Sequence, residues 1–224
     1  MKKFCLIVFG LIFFLTSQAT PQNKVVVIPL FGDKDTSSTP PAPVEKTGQM
    51  TCSDEFGMVI DCSGSGQDGE LQKGVVWPNP RFTDNLDGTV TDNLTGLIWL
   101  KNANCAGLTN DWETALDYAA ALYDGCTNCL GTNGDCGLSD FSITGDWRLP
   151  NIKELLSLID YSNTSPALPS GHPFTNVGGT WIWSSTTYGF PASRNYAWAL
   201  ITSGHLDNLS KTNTNNVWPV RGGN

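Results

Sequence analysis

A tandem octapeptide constrains this chain more than any other feature. Thr83-Asp-Asn-Leu-Asp-Gly-Thr-Val90 runs directly into Thr91-Asp-Asn-Leu-Thr-Gly-Leu-Ile98. Each copy places Asn-Leu-Asp/Thr-Gly between β-prone residues. That pattern suits a type I turn closed by a left-handed glycine in a G1 bulge. Two such turns in succession predict a three-stranded meander, with strands at about 81–84, 89–92 and 96–100. Asp84, Asp87 and Asp92 resemble an acidic calcium loop, but the alternate oxygen ligands and distal Glu of such a loop are missing. Asp and Asn at these positions are ordinary turn formers.

Two helices are predicted next. Asn110-Asp-Trp-Glu113 reads as an N-cap with Glu at N3, followed by Trp112, Ala115, Leu116, Ala119, Leu122 and Tyr123 at helical spacing. Residues 124–145 form a Gly/Cys/Asn-rich loop. Asn151 and Glu154 repeat the capping pattern, with Ile152, Leu155, Leu156 and Ile159 as the buried stripe. The last third is β-rich at 181–186, 196–201 and 217–221, where Pro219 suggests an edge or bulge. Polar loops are expected at 184–195 and 202–216. Strands, then helices, then strands, without βαβ alternation, define an α+β fold. Trp181, Trp183, Trp198 and Trp218 are expected in the core.

The N-terminus reads as an export signal. Lys2 and Lys3 precede an apolar run, Phe4 to Leu15, too short to cross a bilayer of about 30 Å as a helix. Small residues then place a cleavage site after Ala19, so 1–19 is a signal peptide and the protein is secreted, periplasmic or on the cell surface. Residues 20–50 form a Pro/Ser/Thr-rich arm. Its apolar stretch Val25 to Leu30 offers a strand to the domain or to a second protomer, a route to a homo-oligomer. Residues 51–73 form a Cys-bearing loop, and the compact domain spans 74–224. No later stretch reaches the roughly 20 apolar residues of a membrane span.

Cleavage removes Cys5 and leaves Cys52, Cys62, Cys105, Cys126, Cys129 and Cys136. An even number in an exported chain reads as disulfides. Cys52 and Cys62 are natural partners, and the other four leave three pairings open. A four-Cys zinc site would need two CxxC knuckles, and only Cys126–Cys129 has that spacing. A redox CxxC would open a helix, whereas this one sits among Gly, Asn and Asp. No metal site and no cofactor are expected.

The chain carries 13 Lys plus Arg against 21 Asp plus Glu, which disfavours a nucleic-acid partner. Loss of two lysines with the signal makes the mature chain still more acidic. No metalloprotease, nucleophile-elbow or phosphate-loop motif is present, and His172 and His205 are the only histidines. The reading is therefore a binding protein and not an enzyme. His172 is expected to face solvent. Candidate ligand-binding residues are Tyr188, Phe190, Arg194, Asn195 and Tyr196 on one loop, and His205, Asp207, Asn208 and Lys211 on the next. Aromatic rings stack on the apolar face of a sugar while amides and carboxylates hydrogen-bond its hydroxyls. A glycan or protein ligand is the expected partner. A structural or assembly role at the cell surface is the alternative.

Arg81 to Leu100, Gly145-Asp-Trp-Arg-Leu-Pro-Asn-Ile-Lys-Glu-Leu-Leu156, Trp183-Ser-Ser-Thr186 and Val220-Arg-Gly-Gly223 resemble the domain family named for the C-terminal domain of the Legionella collagen-like adhesin. The segment from Trp147 to Glu154 also resembles the strand-to-helix signature of formylglycine-generating-enzyme and C-type-lectin-like folds. The resemblance implies a C-type-lectin-like fold in an exported bacterial protein. For the namesake it implies a trimeric adhesin that binds sulfated polysaccharide. This chain lacks the collagen repeat and the calcium-dependent sugar motifs, and its acidity opposes an anionic ligand.

Overall fold

A computed structural model describes residues 44–107, 110–127 and 136–223. The expected signal peptide, the expected arm up to residue 43, Cys129 and the middle of the 124–145 loop lie outside the described residues. The described chain is α+β, with antiparallel sheets and short helices.

The repeat builds the predicted meander. β3 (Phe82–Asp84), β4 (Thr89–Asp92) and β5 (Ile98–Leu100) pair antiparallel, and β9 (Val220–Arg221) closes the sheet beside β5. Pro219 therefore leads into an edge strand. The two turns differ. Gly96 takes the expected left-handed conformation (φ +73°) and donates to the Asp92 carbonyl. In the first copy Leu86 is also left-handed (φ +63°), held by the Asp84 carboxylate on its N–H. Gly88 cannot be replaced there, because a Cβ would lie 2.3 Å from the Gly137 carbonyl oxygen.

α2 (Trp112–Ala121) starts one residue later than expected. Asn110 exchanges backbone hydrogen bonds with Asn215, and Asp111 caps the helix by accepting from the Thr114 N–H. The buried face is Ala115, Tyr118 and Ala119, continued by Leu122. Tyr123 is exposed because Leu122 ends the helix in extended backbone. α3 (Ile152–Ser157) has the full predicted capping box between Asn151 and Glu154. Leu155, Leu158 and Ile159 are buried beneath it.

The second sheet orders β6 (Trp181–Thr187), β7 (Tyr196–Ile201) and β8 (His205–Ser210). β8 lies inside the expected 202–216 loop. Leu206 and Leu209 are three apart, so the strand shows no two-residue alternation in sequence. A tight turn through Gly204 folds it against all six residues of β7.

The core is aromatic. Phe82, Phe174, Trp218 and Trp99 contact one another in series at 4.9–5.5 Å between centroids. The buried indole N–H groups of Trp147, Trp183 and Trp218 donate to Ser142, Asn110 and Leu100. Trp183 and Trp218 are core residues as expected, whereas Trp181 and Trp198 are only half-buried.

Residues 44–77 form an N-terminal section on this core. β1 (Cys52–Ser53) and β2 (Val59–Ile60) make a hairpin closed by the Cys52–Cys62 disulfide, with α1 (Asp68–Leu71) beside it. Cys105 pairs with Cys136, and Cys126 is also disulfide-bonded.

Candidate functional site

The structure divides the nine candidate residues among three places. The first is the open end of the second sheet. In the β7–β8 register Tyr196 faces Ser210 and Trp198 faces Asn208, so these side chains share one side of the sheet. The neighbouring β7 residues Ala197 and Ala199 point to the other side and are fully buried. Tyr188 follows β6 and packs edge-on against Trp198, with centroids 5.3 Å apart. Its N–H donates to the Tyr196 carbonyl, which fixes the loop end on the sheet. The Asn208 carboxamide has no hydrogen-bond partner among the described residues. Phe190, Arg194 and Asn195 are exposed on the adjoining loop, where 191–193 form one 3-10 turn.

His205 and Asp207 occupy the second place. They lie on the opposite side of β8 and are exposed, with the His205 ring 5.8 Å from Trp181. The third place is Lys211. Its ammonium sits 3.8 Å from the Trp112 ring centroid and donates to Thr187 Oγ1, while its backbone bonds Asn195 and Trp112. This lysine joins α2 to the sheet. The structure thus unites Tyr188 and Tyr196 with Asn208, and separates His205, Asp207 and Lys211 from them.

Trp198 belongs to the first place and was not singled out for it. Strand alternation offered the signal, since the small residues Ala197 and Ala199 can approach the core closely. Ala199 pairs across strands with Trp183, whose large ring fills the space.

His172 does not face solvent as expected. It is half-buried near Phe174, and burial holds its imidazole below the usual histidine range.

Most Lys and Arg side chains of residues 75–223 are committed to partners. Arg81, Lys101, Arg148 and Arg221 pair with Asp92, Asp84, Glu154 and Asp140. Asp84 and Asp92, which suggested calcium in sequence, thus serve turns and ion pairs. The Lys101 ammonium and the Leu86 N–H hold the Asp84 carboxyl below its ordinary range. No cluster of three metal-ligating side chains occurs among the described residues. Nor is any described helix long and apolar enough to cross a membrane.

A further charged group lies under the N-terminal section. Arg81 is buried and grips Asp92 in a two-point pair at 2.8 and 3.0 Å, while Nη2 also donates to the Ser157 carbonyl at the end of α3. Glu45 Oε2 lies 3.8 Å from the same Nη2 and has no hydrogen-bond partner. A cleft of about 500 Å³ opens beside it, lined by Val44, Glu45, Val75, Leu94, Lys153 and Ser157 among others. Nothing in sequence linked Glu45 to Arg81, because 35 residues of turn-rich chain lie between them.

Disulfides, an aromatic core and a half-buried aromatic–amide face describe a cross-braced α+β domain. Residues 88–221 match the Lcl C-terminal domain, and the chain belongs to that adhesin-related family. The resemblance of the repeat, the Gly145–Leu156 segment and the C-terminal Val-Arg-Gly-Gly is thereby borne out. No curated protein sequence matches the chain.

Proposed function

We propose that the protein is an exported, non-enzymatic binding domain that engages a glycan or protein at the cell surface through the open end of the β6–β7–β8 sheet. The observation that carries this reading is the Tyr188–Trp198 pair with Asn208 directly across from Trp198. An aromatic platform beside a free carboxamide suits a sugar ring, whose apolar face stacks while its hydroxyls bond the amide. Phe190, Arg194 and Asn195 extend the platform along the loop. An uncharged glycan fits better than a sulfated one, because Lys153 and Arg194 are the only Lys or Arg between residues 75 and 223 without an ion-pair or ring contact among the described residues.

The C-type-lectin-like fold belongs to the same reading. It is supported by β9 returning beside β5, so that the two ends of the family domain share a sheet. Disulfides fit export, and the signal peptide cleaved after Ala19 is part of the proposal.

A glycan array and a protein pull-down with the exported chain test the function. We expect a ligand whose binding falls at least tenfold in Trp198→Ala and in Asn208→Ala, with near-UV circular dichroism retained. Ligand binding that is untouched by both changes would place the site elsewhere. A second reading, assembly within a surface complex, draws on the exposed Phe56, Met58 and Val59 of the β1–β2 hairpin. Light scattering should then report oligomers that Val59→Asp disperses.

A further inference from the structure

Residues 44–50 lie along the domain as a strap. Val44 and Lys46 exchange backbone hydrogen bonds with Val75 on one side. On the other, the Tyr161 N–H donates to the Thr47 carbonyl, the Ser162 hydroxyl donates to the Gly48 carbonyl, and the Met50 N–H donates to that hydroxyl. Trp77 Nε1 donates to the Lys46 carbonyl, and Thr47 Oγ1 donates to Asp68. Gly48 threads between Trp77 and Asp160, where a Cβ would meet atoms at 2.4–2.5 Å in a left-handed backbone.

These contacts are polar and mostly single. Val44 and Met50 at the two ends are exposed, so little apolar burial holds the strap. Glu45 is its one side chain that reaches the buried ion pair. It meets the Nη2 side of the guanidinium, where Nε and Nη2 already bond Asp92 and Nη2 also bonds Ser157, while the buried Nη1 has no hydrogen-bond partner. The Glu45 oxygen nearest the guanidinium accepts no hydrogen bond.

We propose that residues 44–50 are a pH-sensitive strap, latched on the domain in acid and loosened toward neutral pH, with the Glu45 carboxyl over the Arg81–Asp92 pair as its latch. The charged groups that face Glu45 are Arg81 ahead of β3, Asp92 on β4 and Lys153 on α3 across the cleft. Asp68 and Asp160 face the strap further along, at Thr47 and Gly48.

Burial raises the Glu45 carboxyl to about 7, the Arg81 charge opposes this, and the Asp92 charge adds to it. A released Glu45 ionises near its ordinary value of 4.5, and the docked one near 7. The latched state is therefore fully favoured below about pH 4.5, weakens as pH rises through 7, and stays weakened above that. Release removes the Val44–Glu45 wall of the cleft over Leu94, Lys153 and Ser157.

Hydrogen exchange on the intact protein tests this. Protection factors, corrected for intrinsic exchange, are measured at the Lys46, Val75 and Tyr161 amides at pH 4.5, 6 and 8. We expect them to fall by about ten- to a hundredfold between pH 4.5 and 8. The Trp99 and Leu100 amides should hold theirs. In Glu45→Gln the strap amides should stay protected at pH 8. Equal strap protection across the series in the natural chain would overturn the proposal, whatever the variant does. So would the same pH dependence in Glu45→Gln.

Discussion

The N-terminal section, residues 44–77, and the family domain behind it are held in different ways. The domain buries Trp99, Trp147, Trp183 and Trp218 almost completely. In residues 44–77 the only buried apolar side chain is Cys52, while Met50, Phe56, Met58 and Val59 stand exposed. The section keeps its shape through a disulfide, side-chain to backbone hydrogen bonds and contact with Arg81. Gln67 bonds both the N–H and the carbonyl of Ser53, which closes the outer edge of β1. A domain stabilised by burial should unfold as one unit. A section stabilised by polar contacts should open piece by piece.

The largest effect should come from the core. Trp183→Ala removes a fully buried ring and its hydrogen bond to Asn110, and should cost about 3–5 kcal/mol in urea unfolding. Asp92→Asn leaves the buried Arg81 charge poorly compensated and should cost on the order of 3 kcal/mol. Because the Asp92 charge also disfavours an ionised Glu45, that change should hold the strap more firmly at neutral pH, which a purely core residue would not do.

Disulfide removal separates the two regions. Cys105–Cys136 closes a sequence separation of 31 and Cys52–Cys62 one of 10. Loop-closure entropy predicts losses of about 4 and 3 kcal/mol respectively. The first should lower the global melting temperature. The second should mainly expose residues 51–62 to protease. If Cys52→Ser with Cys62→Ser shifts the global transition as far as the core pair does, the contrast between the regions fails. The smallest effect is Asn151→Ala, which removes the α3 cap and should cost about 1 kcal/mol in the same urea assay.

The contrast also explains what could be read from sequence. The meander was legible because turn chemistry is local: Asp, Asn and Gly positions in the octapeptide specify the reversal by themselves. The capping box of α3 was legible for the same reason. The start of α2 was not, because Asn110 is claimed by Asn215 from the far end of the chain. β8 escaped notice because an edge strand with both sides partly wet has no alternation to display. Trp198 is expected in the core as a strand residue, yet strand geometry turns Ala197 and Ala199 inward. The candidate loop residues were chosen by composition. Sheet register then put Asn208 beside Trp198 and sent Asp207 to the opposite side. The Glu45–Arg81–Asp92 group was invisible because it depends on a strap pressed against the domain through unpatterned backbone contacts.

The proposed binding face can be tested through the indoles themselves. The chain has 8 tryptophans, so an amide and indole correlation spectrum offers a small set of reporters spread through the fold. A ligand found on the array should shift the Trp198 indole and the Asn208 carboxamide signals, leaving those of Trp99, Trp183 and Trp218 in place. Saturable shifts confined to Trp77 or Trp181, with Trp198 and Asn208 unmoved, would contradict the account.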